Sequence, residues 1–329
     1  MKKLYTTILL LAFMGLRSWA ITPNPNVWVF LCFGQSNMEG NAAIEAVDKK
    51  NIPARFKWMP AVNYGSTYTK GGVYKAAPPL CRPGTGLTPV DYFGREMCAN
   101  LPDSISIIVI NVAVGGAPIE LFDESISQKE GYFTGQADWY VNYCKQYDMN
   151  PYRRLIEMAQ KAQKRGVIKG ILLHQGESNN CQSDWPKKVK KVYNNMLTEL
   201  GLEAKKVPLL VGEMVQQNMG GVCWGHNNVI KNIRSTIPTA KIISSKDCPA
   251  RDDGLHFTAE GYRMIGKRYA EAIYPSLMKE LEQAQATPLM PVVEDEPIYN
   301  SEWYNLQGQT VGKPAKGMYI HNGKKVLVK

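Results

Sequence analysis

Five short runs of nearly unbroken aliphatic sequence recur along the chain, each followed by polar or helix-forming residues: Val27–Phe33, Ile105–Val112, Val167–Leu173, Val207–Val211 and Ala240–Ser244. A strand with water on one face alternates polar and apolar side chains. A strand covered on both faces does not, and near-continuous Val, Ile and Leu is what a parallel sheet sandwiched between helices requires. The intervening segments agree. Leu155, Met158, Ala159 and Ala162 fall on one face of a helix over Pro151–Lys164, with Gly166 as its stop. Ser183-Asp184-Trp185-Pro186 is a cap with proline in the first turn of a helix running to about Leu200, where Gly201 ends it. Thr258 caps a last helix through Tyr262, Ile265, Tyr269 and Ile273. Alternating strands and helices with right-handed crossovers predict a three-layer α/β/α domain on a five-stranded parallel sheet. Ligands of such sheets bind outside the carboxyl ends of the strands.

The two ends of the chain are of another kind. Lys2-Lys3, an apolar stretch from Ile8 to Leu16 and the small residues of Ser18-Trp19-Ala20 make residues 1–20 a secretory signal by pattern. That stretch is too short to span a bilayer, and no later run is long and apolar enough for a transmembrane helix. A secreted, periplasmic or cell-surface location is therefore expected. The main domain is expected over 21–282, with residues 51–90 and 118–150 as elaborated loops above the sheet. Residues 283–300, with three prolines and an acidic run, read as a linker. Beyond them, Trp303–Leu306, Gly317–His321 and Lys325–Val328 are strand-like, the last two joined by the turn signal Asn322-Gly323. Residues 301–329 are thus expected to form a short C-terminal β-hairpin tail, too small to fold without help.

The formal net charge is +10, and three of those charges, on Lys2, Lys3 and Arg17, lie in the expected signal. The densest basic cluster, Lys187-Lys188-Val189-Lys190-Lys191, follows a helix start and reads as a solvated face, so no nucleic-acid partner is expected. Seven cysteines leave at least one thiol unpaired within the chain, and Cys32, inside the first strand, reads as a small buried hydrophobe. No Cys-x-x-Cys or His-x-x-x-His spacing occurs, so no structural zinc site is expected.

The chemistry-bearing motifs fall just after the predicted strands. The first run ends in Gly34-Gln35-Ser36-Asn37-Met38-Glu39-Gly40, a serine in a glycine-flanked turn. A serine hydroxyl is a poor nucleophile unless a base takes its proton and a third group orients that base. Of four histidines, His256 alone has an Asp-x-x-His context, in Asp253-Gly254-Leu255-His256. Ester hydrolysis also needs donors for a developing oxyanion. The sequence offers the Ser36 amide, the glycines of Asn111-Val112-Ala113-Val114-Gly115-Gly116, and the Gln175 side chain in His174-Gln175-Gly176-Glu177-Ser178-Asn179.

In these four blocks, spread over roughly residues 27–275, the chain resembles the SGNH hydrolase superfamily, specifically the carbohydrate esterases of family 6 and the related sialate O-acetylesterase domain. The resemblance implies a flavodoxin-like α/β/α esterase that removes acetyl groups from sugars without a cofactor. It also implies Ser36 as nucleophile, His256 as base, and Gly116 and Gln175 completing an oxyanion hole with the Ser36 amide. Gly116 is preferred to Gly115 because of its spacing from Asn111. The chain departs from most of the superfamily in having glutamine where asparagine is the third donor. Two carboxylates, Asp253 and Glu177, compete to orient His256, with the Asp-x-x-His spacing favouring Asp253. The expected activity is deacetylation of an acetylated polysaccharide or oligosaccharide of plant origin, xylan first, through an acetyl-enzyme. Sialate O-acetylesterase is the alternative within the class, and a non-catalytic carbohydrate-binding protein the alternative outside it.

Other residues have plainer readings. His174 ends a buried strand and reads as structural; His226 and His321 read as surface residues. Trp58, Tyr64, Tyr68, Trp139, Trp185 and Trp224 are either stacking platforms for sugars or loop packing. Arg82 either meets a substrate carboxylate or pins its own loop. The run from Trp303 to Lys329 resembles the C-terminal tails of many secreted Bacteroidetes proteins, some of which act in sorting to the cell surface.

Overall fold

A computed structural model describes residues 22–286, 302–321 and 324–328, so the expected signal, most of the expected linker and the Asn322-Gly323 turn lie outside the described residues. The chain divides into two units, one ending at Met278 and the other beginning at Lys279.

The first unit is built on strands β1 (Val27–Gly34), β2 (Phe56–Trp58), β3 (Tyr74–Lys75), β4 (Ser106–Ala113), β5 (Val167–His174), β6 (Leu209–Gly212) and β7 (Lys241–Ile243). They form one sheet in the order β3-β2-β4-β1-β5-β6-β7, parallel throughout except for the antiparallel edge pair β2/β3. All five anticipated strands are present, but the sheet has seven strands rather than five. The added pair comes from the stretch read as a loop. Phe56-Lys57-Trp58 buries its two aromatic rings and leaves the lysine between them partly exposed, an alternation too short to stand out in sequence.

Two helical layers cover the sheet. Val29, Leu31 and Phe33 share a buried cluster with residues of the helices Pro151–Gln163 and Trp185–Leu200. On the opposite face Phe30 meets Phe93 of the helix Pro89–Asn100 edge to face at 4.9 Å, and Gly170 leaves room for Ile273 of the helix Ala259–Ala286. The helix boundaries follow their signals. Thr258 Oγ1 accepts from Gly261 N at 3.2 Å, and Gly201, with φ +63°, ends the Trp185–Leu200 helix. The last helix runs on to Ala286, so the first positions of the segment 283–300 are helical.

The five anticipated strands lie in the spatial order second, first, third, fourth, fifth. Chain direction across the sheet therefore reverses beside β1, and the crevice at that switch point opens at the carboxyl ends of β1, β4 and β5. Gly34 stands at its centre, in register with both Ala113 and His174. A Cβ there would lie 2.1 Å from the His174 carbonyl oxygen, at φ +150°, so only glycine lets the chain turn at this point.

The second unit contains β8 (Trp303–Tyr304), β9 (Thr310–Val311), β10 (Gly317–His321) and β11 (Lys324–Val328). They form an antiparallel sheet in the order β11-β10-β8-β9. The expected β10/β11 hairpin pairing is there, extended by a second pair of strands.

Candidate active site

The turn after β1 is pinned by Gln35 N donating to the His174 carbonyl at 3.0 Å and by Val114 N donating to the Gly34 carbonyl at 3.1 Å. Ser36 then opens the short helix Ser36–Glu39 at the top of the sheet. Its Oγ lies 2.9 Å from His256 Nε2, and His256 Nδ1 lies 2.9 Å from Asp253 Oδ2. Asp253 Oδ1 also accepts from the amides of Leu255 and His256, each at 2.9 Å. One carboxylate thus fixes both the loop and the ring it carries. Burial tends to raise the Asp253 carboxyl, but hydrogen bonds from the His256 ring and the two amides outweigh it and hold it down to about 2. An ionised Asp253 keeps the proton on Nδ1, which leaves the Nε2 lone pair facing the serine hydroxyl.

Glu177 does not share that contact. Its Oε1 accepts from Asn37 Nδ2 at 2.5 Å, and its Oε2 is buried without a partner among the described residues. Burial raises its carboxyl, opposed by its own amide, Asn37 and the nearby His256. Of the two competing carboxylates, the imidazole hydrogen-bonds Asp253.

The expected oxyanion donors divide. The amides of Ser36 and Gly116 have no acceptor among the described residues, whereas Gly115 N donates to Glu39 Oε1 at 3.1 Å. This agrees with the choice of Gly116, whose φ of +71° is a glycine conformation. Gln175 requires a correction, because it is fully buried and its amide nitrogen is turned inward. Nε2 faces Gln35 Oε1 at 3.1 Å, the Ala117 carbonyl at 3.2 Å and Asn179 Oδ1 at 2.6 Å, while Oε1 accepts from Trp185 Nε1 at 2.6 Å. Nothing of that amide is left for an oxyanion.

Gln35 is the residue that sequence reasoning missed. Its Oε1 accepts from Gln175 Nε2, Gly176 N at 3.3 Å and Ser178 N at 3.2 Å. That fixes the amide with its nitrogen on the far side. Among the described residues Gln35 Nε2 has no acceptor, and the residue lines the cavity above Ser36. Its position directly before Ser36 was the available signal. Asn37 is no substitute, since its Nδ2 is committed to Glu177 and to the Leu255 carbonyl.

The cavity encloses about 400 Å³ between Ser36, His256, Gln35, Gly116, Trp139 and Tyr143. Beside it, the buried Glu39 carboxylate pairs with Arg82, whose guanidinium lies 3.8 Å over the Tyr143 ring. Arg82 therefore pins its loop. Trp139, 52% exposed, is the one residue of the six proposed platforms that lines this cavity; Trp58 and Trp185 are core residues. His174 is buried, and burial pushes it down to about 3, in keeping with a structural reading. His226 is not the expected surface residue. It is fully buried, edge to face with Trp185 at 4.8 Å, and accepts from Cys181 N at 3.1 Å.

A largely parallel sheet in this order, with Ser, His and Asp in a row at its switch point, is the arrangement of an SGNH-type hydrolase. The chain belongs to the carbohydrate esterase, sialic acid-specific acetylesterase family, whose model matches residues 26–275. Among solved structures it is similar to an Arabidopsis thaliana protein at TM-score 0.54 and 18% identity, over 77% of this chain and 99% of that one. It is similar to NanS at TM-score 0.55 and 14% identity, over 78% and 99%. It also resembles a carbohydrate acetylesterase from Xanthomonas citri at TM-score 0.51 and 15% identity, over 75% of this chain and 56% of that one. At these identities the likeness is one of fold.

Proposed function

We propose that the protein is a secreted serine esterase that removes O-acetyl groups from a carbohydrate through an acetyl-enzyme. The observation that carries this reading is the unbroken hydrogen-bonded row Ser36 Oγ, His256 Nε2, His256 Nδ1, Asp253 Oδ2, with both links at 2.9 Å. Ser36 Oγ attacks the acetyl carbonyl as His256 Nε2 takes its proton, and Asp253 holds the ring and the resulting imidazolium. The carbonyl oxygen, now negative, is met by the amides of Ser36 and Gly116 and by Gln35 Nε2. Collapse expels the sugar oxygen, which recovers the proton from His256. Water then attacks the acetyl-serine with the same imidazole as base, releasing acetate.

Acetylated xylan is the first substrate to test. The family description supports a second reading, O-acetylated sialic acid, since the matching family is specified by that sugar. The leader expected over residues 1–20 supports export, and among the described residues no helix is long and apolar enough to cross a membrane. Acetate release from 4-nitrophenyl acetate, acetylated xylan and O-acetylated sialic acid, by wild type and Ser36→Ala, tests the reading. Ser36→Ala should lose nearly all turnover with its thermal midpoint almost unchanged. Retention of about a tenth of wild-type kcat would remove Ser36 as nucleophile.

A further inference from the structure

A second cavity of about 370 Å³ adjoins the one above Ser36 and shares Glu39, Asn41 and Tyr143 with it. Its walls are two loops laced together, with Gly86 N donating to the Gly40 carbonyl and Leu87 N to the Ala42 carbonyl, each at 2.8 Å. A Cβ at Gly40 would lie 2.6 Å from the Gly86 carbonyl oxygen, so the loops are in backbone contact and the cavity is preformed. Building on the esterase reading, we infer that this second cavity holds the sugar bearing the acetyl group, and that it selects an uncharged sugar over one carrying a carboxylate.

The charges lining the two cavities carry the inference. Arg82 is the one Lys or Arg among the lining residues. Its charge is already matched by the buried Glu39 carboxylate, and its flat face is covered by the Tyr143 ring. Arg251 stands nearby but lines neither cavity. Its Nη1 donates to the Asn41 carbonyl at 2.9 Å and to Asn41 Oδ1 at 2.5 Å, and its Nε is 3.8 Å from Asp253 Oδ2. A substrate carboxylate entering here would shed water without gaining an unpaired cation among the lining residues. Sugar hydroxyls face no such conflict. They can donate to Glu39 and exchange hydrogen bonds with Asn41 and Thr85, all of which line the second cavity.

A matched pair of substrates tests this on the full-length protein: O-acetylated sialic acid and its methyl ester, which differ only in the charge of the carboxyl, with 4-nitrophenyl acetate as reference. Acetate release from the methyl ester should exceed that from the free acid by about tenfold or more in kcat/KM. Equal or faster release from the free acid would overturn the charge selection while leaving the esterase reading intact. Absence of turnover on all three, the reference included, would overturn both. Glu39→Gln leaves the Arg82 charge unmatched and should move the ratio toward the free acid by about tenfold. An unmoved ratio in a folded variant would also count against the inference. Should that variant not fold, the wild-type comparison decides alone.

Discussion

Gln35 reaches the site on the same turn that presents Ser36, and three N–H groups hold its carbonyl oxygen so that its nitrogen faces the cavity. Gln35→Glu keeps the acceptor for those three groups and removes the donor. Its kcat on a small activated acetate should fall by about 10²–10³ with KM nearly unchanged, as for other oxyanion donors. A risen KM with kcat intact would assign Gln35 to ground-state binding. The carboxylates are separable in the same way. Asp253→Asn should lower kcat by about 10⁴, as the loss of an orienting aspartate does in an analogous triad. Glu177→Gln, which loses no bond to the imidazole, should be milder, and the opposite ranking would transfer the orienting role. Ser36, Asp253 and His256 were legible because their signatures are local: a glycine-flanked serine after an apolar run, and a carboxylate three residues before a histidine. The proposed third donor was not. Gln175 and Gln35 lie 140 residues apart and share one hydrogen bond, and the Ala117 carbonyl that also holds Gln175 is 58 residues away, so which amide faces the cavity depends on partners that only the tertiary fold brings together.

The helix Pro89–Asn100 begins with a reciprocal cap, in which Thr88 N donates to Asp91 Oδ2 at 3.3 Å and Val90 N to Thr88 Oγ1 at 3.3 Å. Asp91 is 1% exposed. Burial pushes its carboxyl up to about 7, against the smaller lowering influences of the Thr88 amide and Arg95. Its folded value thus exceeds its ordinary one of 3.8, so the folded state keeps a proton that the unfolded chain has released. The associated stability is fully present below pH 3.8 and is lost as pH rises to about 7. Asp91→Asn can still accept from Thr88 and does not titrate. Its unfolding free energy relative to wild type should therefore rise across that window, by at most roughly 4 kcal/mol, and level off above it. Urea titrations at several pH values check this, and a flat difference would place the carboxyl near its ordinary value. Strands and helices of this scale were read well where hydrophobic runs were long, as in β1, β4 and β5. β2 and β3 escaped because three and two residues cannot display a period. His226 was misread because the polar start of its helix, His226–Lys231, gives no sign that Trp185, on another helix, will cover it.

The Ser36, His256, Asp253, Gln35 and Gly116 assembly lies wholly within the unit ending at Met278. A chain ending at Ala286 should therefore keep its kcat/KM for a small acetate within about twofold, as expected of a unit with its own core. A collapse of activity would make the C-terminal strands part of the working enzyme. The position of each block just after a predicted strand was enough to expect the site at the carboxyl edge of a parallel sheet, since ligands of such sheets bind outside the strands' carboxyl ends. The substrate was less legible, because it depends on charges matched across loops, Glu39 with Arg82 above all. The central claim is that Ser36 carries the acetyl group between sugar and water. Rapid quench of the enzyme with 4-nitrophenyl acetate, followed by proteolysis and mass spectrometry, measures it directly. One acetyl group should appear on the peptide containing Ser36, and none on that peptide in Ser36→Ala. An acetyl group found on another residue, or steady turnover with no acetylated peptide at any quench time, would contradict the account.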